Sequence, residues 1–182
     1  MCLFITATLP ATAAFAPIEA IARAHGRRFR AQSNASIEAQ IGEDRRSYVT
    51  TPGHCDCGTV LGSRSTAKGR ATDWAKEEHK LARKGWSDAR IARAIAQKRA
   101  SEEDHDANAI RRAESELFSW QALIASVLAS GKASEIGLLL HMYSGALDAP
   151  FAMRETRHLG SSDTIRDVLL AMDEDVLYVF RK

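Results

Sequence analysis

Two thiols and an imidazole fall within four residues of one another in the stretch Gly53-His54-Cys55-Asp56-Cys57-Gly58. Cysteine and histidine both ligate zinc, and closely spaced thiols can also exchange with a disulfide. In an extended segment Cys55 and Cys57 project to one side while His54 and Asp56 project to the other, so a turn, which the flanking glycines permit, is needed to bring the imidazole round. A structural zinc site needs four ligands, and a catalytic one needs three plus an open position. The loop must therefore recruit help from Cys2, His25, His141 or His158. Cys2 is preferred, because the strand it begins can neighbour residues 47–51. The expected metal set is His54, Cys55, Cys57 and Cys2, with zinc as the possible cofactor and thiol redox chemistry as the alternative. A Cys-x-Cys with no second pair also reads, more plainly, as a tight glycine loop carrying two half-buried thiols.

Other arrangements fail on spacing. Six residues separate Cys57 from Arg64, one more than in the phosphate-cradling loop of cysteine phosphatases, and Gly58 to Gly69 contains no Gly-Lys-Ser/Thr for a nucleotide loop. His141 lies in an apolar run and reads as a satisfied core or edge histidine. Between Arg64 and Arg99 eleven lysines and arginines face only Asp73, Glu77, Glu78 and Asp88. Helix, glycine turn and helix there loosely resemble a helix-turn-helix over about twenty residues, with Trp86 where a smaller aliphatic side chain is usual. The acidic run Glu102-Glu103-Asp104 and Asp106 would repel phosphates, so this block reads as a solvated hairpin and nucleic acid is disfavoured. Its tryptophans and arginines are instead the residue types of interface hot spots. Trp74, Trp86, Arg90 and Arg93 are accordingly the expected contacts to a protein partner.

The elements that would position these residues follow from periodicity and breakers. Residues 2 to 8 are β-branched and apolar and stop at Pro10, which predicts a strand. Pro17 opens a helix that runs to His25 and stops at Gly26. Phe29 to Gln32 and Ser47 to Thr51 read as strands, with the polar stretch Ser33 to Arg46 between them. Ser87 can cap a helix with Ile91, Ala94 and Ile95 on one face, and Ser101 to Asp104 restarts or continues it. Ala109, Ala113, Leu117, Trp120, Ile124 and Val127 recur with helical spacing up to Gly131, predicting an amphipathic helix. Ile136 to Tyr143 is a strand, Ser162 or Asp163 caps a short helix through Met172, and Val176 to Phe180 is a last, nearly continuous apolar strand.

A chain of 182 residues is long enough to bury a core without disulfide staples, and 45% apolar with 26% charged residues is the mixture of a folded globular protein. Three cysteines are too few, and odd in number, for a secreted disulfide framework. The N-terminal stretch lacks a basic segment and has Pro17 after the Ala14-Phe15-Ala16 that could pass for a cleavage site, so it reads as a strand, not a leader. A net charge of +2 argues for neither nucleic acid nor membrane. The expectation is one cytoplasmic α+β domain, a ferredoxin-like (split βαβ) sandwich with a helical insertion at about residues 64–131. Its leading function is non-enzymatic protein binding, as an inhibitor, adaptor or immunity-type module using that insertion. The zinc- or thiol-dependent loop and nucleic-acid binding through residues 64–99 are the alternatives.

Overall fold

A computed structural model describes residues 1–62, 72–160 and 163–182. Arg64, Lys68 and Arg70 of the basic block, and the cap expected at Ser162, lie outside these residues. The chain divides into two compact units, Met1–Arg64 with Ser115–Lys182, and Ser65–Glu114. In order the elements are β1 (Cys2–Pro10), α1 (Phe15–Ala24), β2 (Arg30–Ala31), α2 (Ala35–Ile41), β3 (Arg45–Val49), α3 (Trp74–Ala82), α4 (Asp88–Ala129), β4 (Glu135–Tyr143), β5 (Glu155–Leu159), α5 (Ile165–Ala171) and β6 (Val176–Arg181).

The first unit is an α+β structure on a six-stranded mixed sheet of order β2-β3-β1-β4-β6-β5, antiparallel except for the β5–β6 pair. The ferredoxin-like expectation would set the last strand beside the first. Instead β1 is flanked by β3 and β4, and β6 lies against β4. The sequence reading lacked α2 and β5. Asn34 starts α2 by accepting hydrogen bonds from Ser36 N–H at 2.9 Å and Ile37 N–H at 3.1 Å, and Gly42, with φ of +84°, ends it.

Alternation along β1 serves two faces. Leu3, Ile5, Ala7 and Leu9 join Ile18 and Ala22 of α1 and Leu117, Trp120, Leu123, Ile124, Val127 and Leu128 of α4 in the main core. The α4 residues repeat every three to four positions, so one stripe of that helix is buried. On the opposite face Ile37 and Ile41 of α2 cover Leu139, Leu177 and Val179. Because β1 and β4 are covered on both faces, even Thr6 and Thr8 of β1 are buried. Gly137 sits opposite Thr8, where a Cβ would come within 2.2 Å of the threonine hydroxyl oxygen, so these two strands close only around glycine.

In the second unit α3, capped by Asp73, and the first part of α4 share a small core of Leu81, Ile91 and Ile95 packed against Trp74, Trp86 and Ala94. Gly85, with φ of +77°, makes the turn between them. Ser101 to Asp104 neither stops nor restarts a helix: α4 runs unbroken for 42 residues. No helix among the described residues is long and apolar enough to cross a membrane.

Candidate metal centre

Beyond Val49 the chain stops forming a regular ladder yet stays beside the first half of β1, and side chains take over the pairing. Thr50 donates to the Ile5 carbonyl twice, from its N–H at 3.0 Å and its hydroxyl at 2.8 Å. Asp56 N–H donates to the Leu3 carbonyl at 2.8 Å. The two strand N–H groups on this edge find unusual acceptors: Ile5 N–H donates to the Asp56 carboxylate at 3.0 Å, and Leu3 N–H to Cys57 Sγ at 3.1 Å. Buried backbone donors need partners, so this edge of β1 fixes the loop and the loop fixes the cysteines.

Asp56 is the hinge of that arrangement. Its side chain is wholly buried and accepts also from the Thr51 hydroxyl and from Arg27 Nη1 at 3.2 Å. Arg27, 6% exposed, pairs through its other terminal nitrogen with Glu116 of α4, whose second oxygen accepts Val60 N–H at 2.7 Å. The guanidinium lies over the Trp120 ring, 4.3 Å from its centroid. An isolated charge in this core would be prohibitively costly; here one cation is shared between two carboxylates and every oxygen facing inward is hydrogen-bonded. The segment then folds back on itself. Thr59 N–H reaches the Asp56 carbonyl at 3.0 Å, and a Cβ on Gly62 would lie 1.9 Å from that same oxygen.

The outcome is a cluster of three free thiols. The sulfurs of Cys2, Cys55 and Cys57 all lie within 4.8 Å of one another, Cys2 exposed and the other two half-buried. Cys2 arrives at the start of β1, opposite Tyr143 of β4. Cys55 packs against Phe4, Val49 and Tyr143, and Cys57 against the main core. Two thiols 53 and 55 residues from the first thus meet it, as the sequence suggested for Cys2. The histidines do not join them: no imidazole among the described residues belongs to the cluster. His54 is exposed. His25 faces Ser126 of α4, with Nε2 3.4 Å from its hydroxyl, and His158 lies exposed on β5. His141 stacks on Phe151 at 3.6 Å with Nδ1 2.6 Å from Asp175, whose φ is +61°. Asp56, read from sequence as projecting to the side opposite the thiols, points into the core. Arg27, Thr51 and Glu116 carried no sequence signal, since an arginine after a helix-ending glycine looks like surface charge.

The residues expected to meet a partner lie in the second unit. Trp86 is half-buried in its small core with the Arg90 guanidinium over the ring at 3.9 Å, and Trp74 is half-buried with Arg99 above it at 5.2 Å. Arg93 is exposed and bonds back to the Ala89 carbonyl. Comparison of the chain with protein-family models, with curated proteins and with solved structures returns no match.

Proposed function

We propose that this protein binds a thiophilic metal ion through Cys2, Cys55 and Cys57. The observation that carries the reading is the convergence of three sulfurs within 4.8 Å. With zinc–sulfur bonds of about 2.3 Å, tetrahedral geometry puts sulfurs about 3.8 Å apart, so small side-chain rotations would close the cluster on an ion. The buried Asp56–Arg27–Glu116 bridge supports the same reading: it holds the loop in place before any ion arrives, which lowers the ordering cost of binding. For zinc, the fourth position falls to water or to His54. Protein purified under reducing, chelator-free conditions and supplied with zinc should carry close to one ion per chain, and Cys55→Ser or Cys57→Ser should abolish it. Metal-free protein that takes up neither zinc nor another thiophilic ion, or uptake indifferent to both substitutions, overturns the reading. His54→Ala lowers zinc affinity if the imidazole closes the site.

A second reading keeps the helical unit as a partner surface, and the Arg90–Trp86 stack is the observation that favours it, since these two types dominate interface hot spots. Arg90→Ala, which spares the small core, should weaken a partner complex while leaving the hairpin folded. An unchanged complex ends that reading.

A further inference from the structure

Building on the thiol-site reading, we propose that the ion this cluster is suited to hold is a trivalent metalloid of the arsenite class, bound as a neutral tris-thiolate. Donor number is the first argument. Among the described residues three sulfurs gather and no other cysteine, histidine or carboxylate joins them. The carboxylate between the two loop cysteines, Asp56, is consumed by Ile5 N–H, Thr51 and Arg27. Zinc would still need a fourth donor, from water or His54, whereas trivalent arsenic, with its lone pair, is satisfied by three sulfurs.

Charge is the second argument. Three thiolates around zinc leave one net negative charge and around monovalent copper two, while around a trivalent centre they leave none. This site has little with which to offset an anion. The guanidinium packed on the loop, Arg27, is already shared by Asp56 and Glu116. Among the described residues the one hydrogen bond that reaches a thiol sulfur is from Leu3 N–H to Cys57. Cys55 rests on Phe4, Val49 and Tyr143, and Cys57 on the main core. A net charge in such surroundings is penalised, and a neutral complex is not.

The binding step balances without an oxidant or reductant. Each arsenic–hydroxyl bond of arsenous acid is replaced by an arsenic–sulfur bond, the thiol proton leaving with the hydroxide as water, so three thiols and one arsenous acid give the tris-thiolate and three waters. Cys2, exposed at the rim, is the point of entry.

The test uses the full chain reduced with a phosphine, titrated separately with arsenite and with zinc, and followed by thiol counting, native mass spectrometry and X-ray absorption at the arsenic edge. One arsenic per chain, loss of all three titratable thiols and a shell of sulfur alone are the expected results, with Cys2→Ser weakening arsenite binding at least about tenfold. Oxygen in the shell, or arsenite affinity unaffected by Cys2→Ser, overturns the three-sulfur ligand set. Zinc held by the three thiols and not displaced by arsenite overturns the metalloid proposal while the thiol-site reading stands. Binding of neither ion ends both.

Discussion

Asp56 lies between two cysteines in the chain but belongs, physically, to the core beneath them. Replacing it with alanine removes one of the two carboxylates that neutralise Arg27 and the acceptor for Ile5 N–H at once. Asp56→Ala should therefore cost about 3 kcal/mol or more, read from urea denaturation, because a buried cation is left underpaired. Gly62→Ala tests the same loop from its other end: the new methyl would meet the Asp56 carbonyl oxygen at 1.9 Å, and backbone must shift to admit it. A loss of about 1–3 kcal/mol is expected, the usual range for an overpacked site, together with faster alkylation of Cys57 as its Leu3 N–H bond loosens. The cysteines themselves were legible from their type and spacing. Asp56 was not, because period-two projection assigns it to the face opposite the thiols without saying whether that face is water or core, and only the unmet N–H groups of β1 decide.

Elements with strong periodicity could be read directly, and elements held by capping and edge pairing could not. The stripe from Leu117 to Val127 announces α4, whereas α2 has only seven residues and two buried side chains, Ile37 and Ile41, so its existence depends on Asn34. That side chain also donates to the Leu147 carbonyl at 2.8 Å and the Ala149 carbonyl at 3.3 Å, tying α2 to the loop after β4. Asn34→Ala should lower stability by more than the about 1 kcal/mol of a simple cap, and Asn34→Asp, which keeps the cap acceptor and loses both donors, should recover part of it in thermal denaturation. β5 escaped notice because it is exposed on both faces and shows no alternation. Its parallel register with β6 is set by backbone pairing, to which Arg157 adds a hydrogen bond to the Tyr178 hydroxyl at 3.2 Å. In the helical unit Trp86 supplies a large share of a very small core. Trp86→Ala should reduce helical circular dichroism and expose residues 72–114 to protease while the thiols of the other unit keep their alkylation rates; unchanged helicity would make that ring a surface feature.

At the scale of the molecule, two tyrosines couple packing to alkaline pH. Burial raises the pKa of Tyr143, which Gln32 partly opposes, and burial likewise raises Tyr48 against the pull of Arg46. The folded protein thus holds these phenolic protons more tightly than the unfolded chain, whose tyrosines titrate near 10.0. Their contribution to stability is complete below that pH and is lost as pH rises through the folded-state values. Denaturation midpoints should fall above pH 10, and Tyr143→Phe should flatten the fall. The position of β1 in the middle of the sheet has a further consequence, which concerns time. One of its edges is closed by β3 and the cysteine loop, but the other waits for β4, which the ribosome delivers only after the whole helical unit has been made. Until then a strand that the finished fold buries on both faces stands with an open edge, the state most prone to pair with a stranger. Nascent chains released before β4 should therefore depend on a holding chaperone that the finished protein no longer needs.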